Sequence, residues 1–148
     1  RGSPIIFRQI MGQMRRRGGD GKILGAKGEK MVAGFLANNG YNIVAKNWRC
    51  RHLEIDIIAV KDNTVHFVEV KSLSCNELTE PYRKVGNVKR GRIIDAANCF
   101  LNSKCWYLFL HMADMGSDFE VSFDVASVVG CAGTFTVEFF ENAYTPLW

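Results

Sequence analysis

No apolar run in this 148-residue chain is long enough to span a bilayer, and Ile5-Ile6-Phe7 near the start is too short for the core of a signal peptide. These absences argue against a secreted or membrane-inserted product and against a membrane partner, and they point to a cytoplasmic protein. There is no C-x-x-C pair. The five cysteines (Cys50, Cys75, Cys99, Cys105, Cys131) are odd in number and scattered, which favours reduced thiols over a disulfide framework. The three histidines, His52, His66 and His111, show no ligand spacing relative to the cysteines, so a zinc site is not indicated. A G-x-x-x-x-G-K-[ST] phosphate loop, an internal repeat and any Ser/His/Asp or Cys/His grouping are also missing. From Cys105 to the C-terminus there is no Lys or Arg, against six acids.

The positive charge lies elsewhere. Residues 1–51 carry eleven Lys/Arg against Asp20 and Glu29, and residues 83–92 carry Arg83, Lys84, Lys89, Arg90 and Arg92 with no acid. Basic character gathered in two segments fits a partner with a phosphate backbone, and solvated helix faces are the plainer alternative. At this length the chain is one domain with room for a real core. Residues 1–21 read as a flexible basic N-terminal segment, with Arg1-Gly2-Ser3 set aside as an expression remnant, and 22–148 as the single folded domain. The run Arg15-Arg16-Arg17-Gly18-Gly19 is either an arm that touches phosphates or a mobile terminus.

The chain is organised around Leu53-Glu54-Ile55-Asp56-Ile57-Ile58-Ala59-Val60 and Thr64-Val65-His66-Phe67-Val68-Glu69-Val70-Lys71, two Val/Ile/Phe-rich strands joined through Asp62-Asn63. A two-residue loop there pairs Lys61 with Thr64, Val60 with Val65, Ile58 with Phe67 and Asp56 with Glu69. Period-two alternation then puts Glu54, Asp56, Glu69 and Lys71 on one face at one end of the hairpin. Two carboxylates facing each other across strands repel. Either a cation such as Mg²⁺ or Mn²⁺ offsets them, or the strand end is solvated and pairs with Lys71.

Residues 22–39 read as a helix stopped by Gly40, with Glu29, Val32, Ala33 and Leu36 at i, i+3, i+4 and i+7. Glu29 thus lies on or beside the buried stripe, where it needs a cation, a proton or a donor unless it reaches water. Gly25 and Gly28 near the same side permit close approach of another backbone or a ligand. Residues 41–48 read as a first strand, 72–87 as a loop, and 88–102 as a second helix whose N-terminal turn crowds Lys89, Arg90 and Arg92. Basic residues at that end oppose the helix dipole unless an anion approaches. Residues 104–112 read as a fully buried strand, and 119–129 and 134–140 as two more strands joined through Gly130–Gly133.

The E-x-K spacing of Glu69-Val70-Lys71 sets a carboxylate and an ammonium on one face about 7 Å apart. This suits phosphodiester hydrolysis, in which a carboxylate holds a metal and the lysine orients a water or stabilises charge. Asn47-Trp48-Arg49-Cys50-Arg51, Glu54-Ile55-Asp56-Ile57-Ile58 and Phe67-Val68-Glu69-Val70-Lys71 resemble the signature of the YraN-like bacterial family. Gly28-Glu29, Val88-Lys89-Arg90, Arg92-Ile93, Phe123-Asp124-Val125 and Glu141-Asn142-Ala143-Tyr144 agree, so the resemblance runs from about residue 22 to about 144.

That family is described as predicted endonucleases similar to archaeal Holliday-junction resolvases, within the PD-(D/E)XK nuclease superfamily. The resemblance implies an α/β, restriction-endonuclease-like core with a mixed central β-sheet flanked by helices. It implies Mg²⁺ or Mn²⁺ on Asp56, Glu69 and the Val70 backbone carbonyl, Lys71 as the catalytic lysine, and Glu29 completing the site directly or through water. Arg49, Arg51, Arg83, Lys84, Lys89, Arg90 and Arg92 are the candidate nucleic-acid contacts. DNA, branched or damaged DNA included, stands ahead of RNA as substrate, and a homodimer is the expected assembly. Departures from the family pattern are Leu53 in place of glycine, Ser72-Leu73 in place of Thr-Arg, and Ser122 in place of arginine. A non-catalytic nucleic-acid-binding module is the alternative.

Overall fold

The computed structural model describes residues 5–13, 21–74, 86–131 and 133–145. Its elements, in chain order, are β1 (Ile5–Gln13), α1 (Gly21–Asn38), β2 (Asn42–Cys50), β3 (Leu53–Lys61), β4 (Thr64–Ser74), α2 (Asn87–Leu101), α3 (Lys104–Met112), β5 (Glu120–Cys131) and β6 (Thr134–Tyr144). The strands form one six-stranded sheet in the order β1-β6-β5-β4-β3-β2. Only β4 and β5 run parallel, and the other neighbours are antiparallel. The fold is therefore α/β with a mixed sheet flanked by helices.

Alternation along the strands divides the core into two layers. Ile58, Val60, Val65, Phe67, Phe123 and Val125 pack with Ile93, Ala96, Ala97 and Phe100 of α2 and Trp106 of α3. Ile57, Ala59, Val68, Ala126 and Val128 pack with Val32, Ala33, Phe35 and Leu36 of α1. A slip of one residue would exchange the two sets between faces, so burial on both sides fixes the register. Gly28 seats α1 on the sheet. A Cβ at that position would stand 2.8 Å from Ser72 Oγ and 3.5 Å from Val128 Cγ2. The close approach expected of this glycine is thus made against β4 and β5.

Four expectations are corrected. Within the segment read as flexible, Ile5–Gln13 pairs with β6 as an edge strand, while 14–20 lie outside the described residues. The segment 72–87 does not begin as a loop, because β4 continues to Ser74, and 75–85 lie outside the described residues.

Residues 104–112 are a helix, not a buried strand. Ser103 Oγ accepts the Trp106 N–H at 3.3 Å as its cap. Only Trp106 of that run is buried, stacked on Phe109 and edge-on to Phe119. Tyr107, Leu108 and Met112 are 60%, 63% and 84% exposed. A short apolar run fits either structure by periodicity, and here the cap decides it.

Finally, Cys50 and Cys99 form a disulfide between the end of β2 and α2, across a separation of 49 residues. Packing of α2 on β2 and β3 creates this pairing, and no local spacing announces it. No helix among the described residues is long and apolar enough to cross a membrane.

Candidate active site

The β3–β4 ladder follows the expected register from Lys61–Thr64 through Val60–Val65 and Ile58–Phe67 to Ile57–Val68, where it ends. The expected Asp56–Glu69 backbone pair is not part of it. Instead, Asp56 Oδ2 accepts the Val70 N–H at 2.9 Å. The Asp56 carboxyl also feels the charge of Glu69. Burial and the Glu69 charge push Asp56 from 3.8 up to about 7. The Val70 N–H opposes that rise, and the Glu29 charge adds to it.

Glu69 is 5% exposed. Its Oε1 lies 3.7 Å from Lys71 Nζ. The same oxygen receives the Lys89 ammonium from the first turn of α2. Burial and the neighbouring Lys89 hold Lys71 below the usual lysine range, against the pull of Glu69 and Asp56. Burial also opposes charge on Lys89, but Glu69, together with Lys71 and Asp56, raises Lys89.

Three of the expected site residues, Asp56, Glu69 and Lys71, are thus brought together. Val70 lies between the last two on the strand, its N–H on the Asp56 carboxylate. Glu29 is half-buried on α1 and close enough for its charge to act on Asp56. It does not join them in a ligand cluster: among the described residues no group of three His, Cys, Asp or Glu side chains gathers at metal-holding distance. Glu54 is exposed and pairs with Arg49, Nη2 to Oε2 at 3.5 Å.

The basic residues separate into different roles. Lys89 is committed to Glu69. Arg90 stacks its guanidinium over the Tyr144 ring, 5.0 Å from the centroid, and so takes part in packing. Arg51 is exposed in the β2–β3 turn. Arg92 and His52 line a groove of about 520 Å³ that also includes Lys89, Glu54 and Val88. Arg83 and Lys84 lie outside the described residues.

Sequence reasoning gave no role to Tyr144 or to the Asp124 network. The Tyr144 hydroxyl is buried without a hydrogen-bond partner among the described residues, and burial together with Glu69 raises its pKa. Fully buried Asp124 accepts from Ser122 Oγ at 2.5 Å and from the Asn142 N–H at 2.8 Å, and bonds His66 Nδ1 at 2.6 Å. The motif segments around Asp124 and Tyr144 were visible, but their meeting is a product of the β5–β6 pairing.

Residues 28–128 match the uncharacterised protein family UPF0102. This chain belongs to that family. A UPF0102 protein from Clostridium perfringens is 37% identical over 123 residues, 83% of this chain and 94% of that protein. One from Bacteroides thetaiotaomicron is 33% identical over 123 residues, 83% of this chain and 93% of its own. One from Treponema pallidum is 48% identical over 82 residues, 55% of this chain and 65% of that protein. The UPF0102 match contains Asp56, Glu69, Lys71 and Lys89 within its bounds. These names state no activity, so the functional reading rests on the site.

Proposed function

We propose that this UPF0102 protein is a metal-dependent endonuclease hydrolysing phosphodiester bonds in DNA, on a restriction-endonuclease-like core. The observation that carries the reading is that Asp56 feels the charge of buried Glu69, with Lys71 Nζ 3.7 Å from the Glu69 oxygen. Two acids that repel each other away from water are a poor structural device and a good cation site. Two carboxylates, with the Val70 carbonyl as a third oxygen, would fit Mg²⁺ or Mn²⁺, which take few protein oxygens and leave the other positions to water and substrate. They do not form the many-oxygen cage that Ca²⁺ takes.

Asp56, Glu69 and the Val70 carbonyl would hold the cation. Bound there, it supplies a Lewis acid for a phosphoryl oxygen and lowers the pKa of a water. Lys71, held below the usual lysine range, is suited to take a proton at Nζ or to stabilise charge on the phosphate. Glu29 acts on the site through its charge on Asp56. Arg92 and Arg51 offer exposed cations to the flanking phosphates.

One observation favours a second reading, a non-catalytic nucleic-acid-binding module: Glu69 already has an internal partner in Lys89. The two readings part on a panel of labelled duplex, single-stranded, flap and four-way-junction DNA and RNA, with Mn²⁺, Mg²⁺ or EDTA. Cleavage that requires metal and is lost in Asp56→Ala and Lys71→Ala supports the endonuclease. Binding without cleavage, indifferent to both substitutions, supports the module.

A further inference from the structure

The two ammonium groups on Glu69 are unequal. Lys71 belongs to the same strand as Glu69, and its side chain is 26% exposed. Lys89 comes from α2, and its side chain is 47% exposed. Lys89 also lines the groove with Arg92 and His52, so one side chain touches both Glu69 and the open surface. A buried carboxylate stripped of its partners is strongly destabilising, whereas a half-exposed lysine returned to water loses little. Glu69 therefore needs a cation, but Lys89 does not need Glu69.

Building on the metal-dependent reading above, we propose that Lys89 is the resident counter-ion of Glu69 in the metal-free protein. A divalent cation displaces it into the groove, where its ammonium contacts a nucleic-acid phosphate. Metal and Lys89 compete for one oxygen, so the site does not hold both contacts at full strength. Metal loading thereby adds a positive charge to the substrate surface. By linkage, nucleic acid that engages Lys89 strengthens metal binding to the same degree. The competition keeps the two acids neutralised in the absence of metal, and it makes binding of metal and of substrate cooperative.

The test is calorimetric titration of the substrate-free protein with Mn²⁺, comparing wild type, Lys89→Met and Lys89→Arg. Removing a charge-assisted competitor should tighten Mn²⁺ binding in Lys89→Met by about tenfold or more, while Lys89→Arg stays within about threefold of wild type. A second readout is urea unfolding. In EDTA, Lys89→Met should unfold at lower urea than wild type, and saturating Mn²⁺ should close that gap. Equal Mn²⁺ affinity in wild type and Lys89→Met overturns the competition while leaving the metal site intact. No Mn²⁺ uptake by any of the three overturns both the metal reading and this inference.

Discussion

Asp56→Asn is the substitution whose effect on stability the site defines most sharply. The native carboxyl is pushed from 3.8 up to about 7, chiefly by burial and then by Glu69. A raised carboxyl means that the native state binds more protons than the unfolded chain between those values. Stability from this group is therefore fully present below pH 4, falls as pH rises, and is lost once pH passes 7. A shift from 3.8 to about 7 corresponds to at most about 4 kcal/mol.

Asparagine keeps an oxygen to accept the Val70 N–H and carries no charge. In EDTA, urea unfolding from pH 5 to pH 9 should show wild type weakening toward pH 8 and then levelling. Asp56→Asn should have a flatter profile and be the more stable protein at pH 8, by up to that amount. Saturating Mg²⁺ should reverse the order at pH 8, because a cation that binds only the native wild-type site stabilises it by mass action. Parallel pH profiles for the two proteins in EDTA would refute the claim that repulsion and burial at Asp56 strain the metal-free site.

The groove and the packing cations should separate in nucleic-acid binding. Arg92→Ala should weaken binding and reduce its salt slope by about one, and Arg90→Ala should lower stability while leaving the slope near wild type, because its guanidinium is spent on Tyr144. An unchanged slope in Arg92→Ala would remove the groove from the interface. The disulfide gives a second check. Closing a loop across a separation of 49 residues stabilises the fold by about 4 kcal/mol in the chain-entropy account. Reduction, or the double substitution Cys50→Ser/Cys99→Ser, should lower the urea midpoint accordingly, and an unmoved midpoint would exclude the cross-link.

The hairpin was legible because its information is local. Asp62 adopts a φ of 53°, as the turn requires, and the alternation of Val, Ile and Phe fixes the register up to Ile57–Val68. Both long helices were legible from their apolar stripes. Beyond Ile57 the backbone pairing gives way to a side chain accepting the Val70 N–H, and no strand period encodes that exchange. Edge strand β1 was hidden by the basic, glycine-rich residues that follow it. The short helix α3 was hidden by its own hydrophobicity, since solvent exposure of Leu108 and Met112 contradicts composition. Lys89 was read as a phosphate contact from its place at a helix N-terminus. Its actual partner, Glu69, is set by how α2 lies on the sheet.

The single parallel pairing has a kinetic consequence. Thr64 lies beside Glu120, 56 positions on, and every later pair in that ladder keeps the offset. Strands β2, β3 and β4 can zip through short turns, as can β5 and β6, but joining the two groups requires the chain to carry α2 and α3 across first. Loop-closure entropy comes due before those contacts form, so this central seam governs the folding rate. Asp56 sits on the side of the seam that assembles from near neighbours, whereas Glu69 lies in the seam, opposite Val125. Substitutions at Asp56 should alter the unfolding rate less than substitutions at Val125 or Phe67, whose burial depends on the seam being shut.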